Sequence, residues 1–206
     1  MKKSRMPDER LQMDLFWVGF GVNPGGMSIA GGSSMGHKNE RIKIYFDSDG
    51  VLANFKGYLD DHKIPYNPDN VRDKAVDLVM WNMIKEIPHF YYQLEPLDGA
   101  VELFQRLNEM YDCAVLTAIP KEKWGVPGTG EDKIDWCKKY LGEDVEVHIV
   151  YRDEKQNYAK DRYCILVDDL KRNIEEWEQN GGTGILYTDA ASFPYAEIEK
   201  LAQMVN

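Results

Sequence analysis

The chain has 206 residues, enough for one substantial core or for a core with a small inserted unit. Its hydrophobic fraction of 43% excludes an intrinsically disordered chain. The formal net charge of −10 argues against non-specific binding to nucleic acid or to an anionic membrane, so an anionic ligand needs a local positive pocket.

Cysteine spacing and apolar runs indicate the cellular compartment. Cys113, Cys137 and Cys164 are odd in number, widely spaced and without a C-x-x-C pair, which fits neither a disulfide framework nor a zinc site. The apolar stretch at 15–22 is too short to span a bilayer. These features predict a cytoplasmic protein that has no membrane association.

The first forty residues differ in composition from the rest. Seven of the 17 glycines fall there, and no helical or strand period is sustained. This composition predicts a flexible N-terminal leader over residues 1–40, followed by a folded domain over residues 41–206.

Beyond the leader, strand-like and helix-like segments alternate, the pattern of an α/β fold with a parallel sheet covered by helices. The predicted strands are 42–46, 113–116, 145–150, 163–167 and 184–187. Apolar residues at helical spacing predict helices over 98–110, 131–140, 172–180 and 196–205. The interval of about 56–95 holds one helix-like run, at 71–87, and no convincing strand, which predicts a small helical cap inserted after the first strand.

Polar side chains follow four of the predicted strands, at the carboxyl edge where such sheets bind ligands. They are Asp47 and Asp49 after the first strand, Thr117 after the second, Arg152, Lys155 and Lys160 after the third, and Asp168 and Asp169 after the fourth. Clustered carboxylates repel one another unless a cation lies among them. Oxygen donors without a nearby histidine or cysteine favour Mg²⁺, which commonly bridges carboxylates to a phosphate. The pattern therefore predicts a magnesium site for phosphate chemistry.

Each of these signals is weak when it stands alone. A D-x-D after a strand is common in turns and helix caps, and a single lysine is usually a solvated surface charge. The combination, in this order and at successive strand ends, is hard to explain without chemistry.

These motifs carry a family resemblance. The segments "DSDGVL", "VLTA" and "ILVDD", together with the lysine loop, resemble the four motifs of the haloacid dehalogenase (HAD) superfamily of phosphatases. Within it, the chain from about Arg41 onward is similar to the 5'(3')-deoxyribonucleotidase family. The resemblance implies a HAD-like Rossmannoid three-layer fold with a small helical cap, and Mg²⁺-dependent hydrolysis of nucleoside monophosphates.

The resemblance also implies roles for residues at the strand ends. Asp47 would be the nucleophile that forms an aspartyl-phosphate, and Asp49 the general acid and base. Thr117 would hydrogen-bond the phosphoryl group, and Lys155 would offset its charge, with Lys160 as the alternative lysine.

The implied metal ligands come from the same strand ends. Asp168 would hold Mg²⁺ together with the Asp47 carboxylate and the main-chain carbonyl of Asp49, and Asp169 would support them. Arg152 would add a second positive contact to the substrate.

Aromatic residues around the cap are the candidate contacts for the base and the sugar. Phe55, Phe90, Tyr91 and Tyr92 lie where the family places such aromatics, although packing in the cap core is an equally strong interpretation. Ala118 stands where the family commonly has a hydroxyl residue, which removes one phosphate contact.

Other functions stay open at this point. A phosphatase for another small phosphorylated metabolite and a catalytically idle HAD-fold binding protein are the alternatives, and a homodimer is one alternative for the assembly. A phosphorylation-dependent receiver module is disfavoured, because its phosphorylated aspartate follows the third strand rather than the first.

Overall fold

A computed structural model describes residues 38–68 and 71–205. The predicted leader, residues 1–40, lies outside the described residues except for its last three. Of these, Asn39 and Glu40 already belong to the first strand.

Five strands and six helices follow one another in the described residues. The strands are β1 (Asn39–Phe46), β2 (Tyr111–Ala118), β3 (Val147–Val150), β4 (Cys164–Asp168) and β5 (Thr183–Leu186). The helices are α1 (Phe55–Asp61), α2 (Lys74–Ile84), α3 (Ala100–Met110), α4 (Thr129–Leu141), α5 (Lys171–Gln179) and α6 (Tyr195–Gln203). Short 3-10 segments lie at Tyr91–Gln93, Glu122–Trp124 and Arg152–Tyr158.

The strands form one parallel sheet in the order β3-β2-β1-β4-β5. The chain winds outward from β1 in both directions, so β1 is central and its carboxyl end adjoins those of β2 and β4. This arrangement confirms the predicted α/β fold with a parallel sheet, and each predicted strand lies at or beside an observed one.

Alternate residues of the central strand pack on opposite faces of the sheet, as the period of a strand requires. Ile42, Ile44 and Phe46 join the larger core cluster with residues of α3, α4 and α6. Tyr45 lies on the other face, in a second cluster with Trp177 of α5. The sheet is therefore the middle of three layers.

Between β1 and α3 the described chain holds two helices. The sequence pattern predicts a single helix at 71–87, where the structure has α2, with Asp73 capping its first turn through a 2.8 Å bond from the Ala75 amide. The seven-residue α1 is too short for a helical period, and Asn54 starts it by accepting a 3.0 Å bond from the Gly57 amide.

Candidate active site

The loop after β1 is shaped by hydrogen bonds and one glycine. The Leu52 and Ala53 amides both donate to the Ser48 carbonyl, at 2.9 and 2.8 Å, which folds the loop back on itself. Gly50 has φ +81°, and a Cβ there would lie 2.3 Å from Oδ2 of Asp169. Glycine is therefore required both for the turn and for the approach of Asp169.

The carboxylates of Asp47, Asp168 and Asp169 form one cluster. Each offers an oxygen within 4.8 Å of the others. Burial, and then the negative charges of Asp47 and Asp168, raise the pKa of Asp169 to about 7. Burial also raises the pKa of Asp168, against the opposing charge of Lys155. Three clustered oxygen donors, two of them with a raised pKa, fit a hard divalent metal ion.

Lys155 lies inside this cluster. Its ammonium is 2.9 Å from Oδ1 of Asp47 and 2.7 Å from Oδ2 of Asp168, and the residue is buried. Burial disfavours the charged ammonium, but the two carboxylates outweigh it and raise the pKa of Lys155. Lys160, the alternative lysine, instead donates to the Asn157 carbonyl on the exposed surface.

Lys133 of α4 is a site residue that the sequence analysis missed. Its ammonium lies 2.8 Å from Oδ2 of Asp49 and 2.9 Å from Oγ1 of Thr117, and only 1% of the residue is exposed. One feature of the sequence could have identified Lys133. It lies three and four residues before the buried Trp136 and Cys137, and therefore on the apolar face of α4.

The environment of Asp49 differs from that of Asp47. Burial raises the pKa of Asp49, although Lys133 opposes this shift. Its Oδ1 is buried and has no hydrogen-bond partner among the described residues. A carboxyl group with a raised pKa beside a carboxylate held by Lys155 is an arrangement that can divide acid and nucleophile roles.

Asp168 is fixed by Asn173 of α5. The Asn173 amide nitrogen lies 3.0 and 2.9 Å from the two carboxylate oxygens of Asp168. Arg152 in turn donates to Oδ1 of Asn173 at 3.3 Å and to Glu176 at 2.7 Å. These bonds join Arg152 to the cluster indirectly.

A cavity of about 240 Å³ opens over these groups. Asp47, Asp49, Lys155 and Asp169 are four of the charged residues in its lining. The lining also includes Arg152 and the side chains of Phe55, Met80, Trp81 and Ala118. The ring of Trp81 stacks on that of Trp124, with centroids 6.0 Å apart. The cavity therefore combines a charged floor with an apolar wall.

Of the four predicted aromatic contacts, Phe55 lies in the described lining of this cavity. Phe90 and Tyr91 are buried, with 2% exposure each, and pack edge to face against each other. Tyr92 is 40% exposed and lies under the ammonium of Lys139, 5.0 Å from it. Phe90 and Tyr91 thus occupy positions in the core, as the alternative interpretation of these aromatics expected. Trp81 and Met80, which do line the cavity, were not predicted.

Residues 40–202 match the family described as 5' nucleotidase, deoxy (pyrimidine), cytosolic type C protein (NT5C). The chain belongs to this family. It is 28% identical over 137 residues to a Vibrio phage KVP40 protein provisionally named a 5'(3')-deoxyribonucleotidase, covering 66% of this chain and 71% of that protein. It is 26% identical over 169 residues to human mitochondrial 5'(3')-deoxyribonucleotidase, covering 70% of this chain and 66% of that protein.

The comparison of folds agrees with this membership. A HAD-like family hydrolase from Xanthomonas campestris aligns with a TM-score of 0.50 and 17% identity, over 82% of this chain and 96% of that one. The NT5C chain is thus a phosphoric monoester hydrolase with a HAD-type fold, as the motifs predicted. Across residues 38–68 and 71–205, none of the helices has the length and apolar character needed to cross a membrane.

Proposed function

We propose that this NT5C chain is a Mg²⁺-dependent nucleotidase that hydrolyses (deoxy)ribonucleoside monophosphates, with a preference for the deoxy forms, through an aspartyl-phosphate on Asp47. One observation carries the proposal: Asp47 and Asp49 line the same cavity, and each is bonded to a different buried lysine. Two carboxylates in different electrostatic environments suit a nucleophile and a proton donor.

Asp47 attacks phosphorus in the first step. Its carboxylate oxygen forms a bond to phosphorus while the bond from phosphorus to the nucleoside oxygen breaks. Lys155, 2.9 Å from Asp47, offsets negative charge on this carboxylate and on the phosphoryl group. Thr117 lies at the end of β2, where its hydroxyl can donate to a phosphoryl oxygen.

Asp49 handles the protons in both steps. Its raised pKa favours the protonated form, which gives its proton to the departing nucleoside oxygen. As a carboxylate it then takes a proton from the water that attacks the phosphorus of the aspartyl-phosphate. Phosphate leaves, and Asp47 and Asp49 return to their starting states.

Asp47, Asp168 and Asp169, with the main-chain carbonyl of Asp49, would hold the Mg²⁺ ion. When bound, the ion offsets the negative charge that the phosphate brings to these carboxylates. The oxygen-only donor set supports this assignment.

The apolar wall of the cavity is the proposed base site. Phe55 and Trp81 offer aromatic faces for stacking on a nucleobase, and Arg152 offers a charge beside the phosphate. The free cysteines support a cytoplasmic location for this activity. A homodimer stays a prediction that light scattering in solution would test.

Phosphate release from a panel of deoxyribonucleoside, ribonucleoside and sugar monophosphates, with Mg²⁺ or EDTA, tests the proposal. We expect metal-dependent release from the deoxyribonucleotides, with the loss of at least about 10³-fold in kcat for Asp47→Asn. Lys155→Ala should be strongly impaired, while Lys160→Ala is the matched control from the same loop. Release from sugar phosphates alone would contradict the substrate class, and full activity in Asp47→Asn would contradict the mechanism.

A further inference from the structure

One residue between α2 and α3 has an unusual backbone conformation. His89 has φ +52°, in the left-handed region that residues other than glycine rarely adopt. Among the described non-glycine residues, Lys63 is the only other one with a positive φ. A strained conformation of this kind persists where surrounding contacts hold it, so the contacts of His89 indicate its purpose.

The His89 side chain is mostly exposed, yet it reaches a buried carboxylate. Its Nδ1 lies 2.8 Å from Oδ1 of Asp132, a residue in the first turn of α4 with 5% exposure. An ionised carboxylate only accepts hydrogen bonds, so Nδ1 must donate. The bond gives the buried charge of Asp132 a partner.

Asp132 directly precedes Lys133 in α4. The first turns of this helix pack against the segment that follows His89. The Lys133 ammonium lies 4.5 Å from the centre of the Tyr91 ring, and Trp136 donates to the Leu94 carbonyl at 2.6 Å. The first turns of α4 therefore depend on this segment for their position.

Lys133 is the next residue of α4 after Asp132, and its ammonium is shared by Asp49 and Thr117, at 2.8 and 2.9 Å. Neighbouring residues of a helix point in different directions, so Asp132 and Lys133 hold α4 through separate contacts. Asp132 ties the start of α4 to His89, and Lys133 extends from the same part of the helix to Asp49. Loss of the bond from His89 therefore loosens the part of α4 from which Lys133 extends.

We propose that His89 is a positioning residue: by donating to Asp132, it anchors the first turn of α4 and so holds Lys133 against Asp49 and Thr117. The inference rests on the proposed function, in which Asp49 transfers the protons. Because Lys133 acts on Asp49 in the chemical steps, loss of His89 should lower kcat and leave KM nearly unchanged.

The kinetic test uses three variants. His89→Gly removes the imidazole while relieving the left-handed backbone, which offsets part of the stability lost with the bond to Asp132. His89→Asn keeps a residue that tolerates this conformation and restores an amide donor toward Asp132. Lys63→Gly relieves the other left-handed residue and is the matched control. We expect kcat to fall about tenfold in His89→Gly, to recover to within about threefold in His89→Asn and to stay unchanged in Lys63→Gly.

A second measurement does not depend on activity. The ¹H–¹⁵N NMR signal of the Lys133 ammonium, assigned by its absence in Lys133→Met, reports whether this group stays hydrogen-bonded. It should shift or broaden in His89→Gly and not in Lys63→Gly. A parental kcat or an unchanged ammonium signal in His89→Gly overturns the inference. If the parent chain releases no phosphate from any substrate, the proposed function fails and the NMR signal alone decides the role of His89.

Discussion

Each of the two aspartates in the loop after β1 pairs with a different buried lysine. Lys155 forms an ion pair with Asp47, and Lys133 forms an ion pair with Asp49. A buried ammonium is unfavourable unless it is paired, so each lysine is held to its partner. This pairing gives chemically identical carboxyl groups distinct surroundings, which the two steps of the proposed reaction require.

The pairing makes Lys133 a sensitive position for substitution. Lys133→Met keeps an unbranched apolar stem in the same space but removes the ammonium, leaving Asp49 and Thr117 without their shared donor. We expect kcat to fall by about 10²- to 10³-fold, measured as steady-state phosphate release. Lys138→Met, at an exposed position of the same helix, is the matched control. An equal loss in both variants would indicate a general effect on α4 instead.

The acidic cluster should also make the stability of the folded chain depend on pH. Burial and the neighbouring carboxylates raise the pKa of Asp169 to about 7, well above the usual range of an aspartate, so in the metal-free protein its ionisation opposes folding. The stability that the protonated Asp169 contributes is fully present below about pH 4. It is lost as the pH rises through about 7, because the unfolded chain ionises this group more easily than the folded chain does.

Asp169→Asn removes this charge. We expect the variant to be more stable than the parent chain at pH 8 in EDTA, by on the order of 2 kcal/mol, or about 4–8 °C in Tm, and to show little gain at pH 4. Thermal unfolding at both pH values measures the difference. Mg²⁺ should raise the Tm of the parent chain more than that of the variant. An equal gain at both pH values would contradict the electrostatic origin.

At the residue scale, the sequence predicted the groups that follow strands. Asp47, Thr117 and Asp168 converge because parallel strands end at one edge of the sheet, which a pattern of strands already implies. Lys133 and Trp81 reach the same place from helices. Their positions depend on how α4 and α2 rotate and dock, which is set by packing between distant segments.

At the scale of elements, α2 and the 3-10 segment Glu122–Trp124 meet over the cavity. Met80 and Trp81 line the cavity from α2, and Trp124 stacks on the ring of Trp81. Trp136 and Trp177 are fully buried, whereas Trp124 is only partly buried. The partner of Trp124 could not be predicted, because 42 residues separate the two rings in the chain.

This stack should hold Trp81 in place for substrate binding. In Trp124→Ala, Trp81 loses its neighbour, so the base site becomes less well ordered while Asp47 and Asp49 are untouched. We expect KM for the best nucleotide to rise about five- to tenfold, with kcat within about twofold. Trp124→Phe, which keeps an aromatic face, should recover most of the affinity. A fall in kcat at constant KM would place Trp124 in the chemical step instead.

At the scale of the whole molecule, charge is distributed unevenly. The chain carries a net charge of −10, whereas the described cavity lining has three cations, Lys56, Arg152 and Lys155, beside three acidic residues, Asp47, Asp49 and Asp169. A small dianion contacts mainly this balanced site, while a polyanion must also pass over a negative surface. The fold class followed from composition and periodicity, but this local balance of charge depends on which side chains the fold brings together.

The contrast predicts discrimination between a mononucleotide and a nucleic-acid end. An oligodeoxynucleotide of ten residues with a 3' phosphate presents the same ester as a 3' mononucleotide, together with about nine further backbone charges. Repulsion by the protein surface and the 240 Å³ cavity should together reduce its kcat/KM by at least about 100-fold relative to the mononucleotide.

Competition assays at 20 and 200 mM salt separate the two causes. If repulsion dominates, kcat/KM for the oligonucleotide rises with salt, because screening weakens the negative surface. If it remains excluded at both salt concentrations, the cavity walls formed by Phe55 and Trp81 set the limit. Equal turnover of both substrates would contradict both causes and point to a nucleic-acid 3' end as the natural substrate.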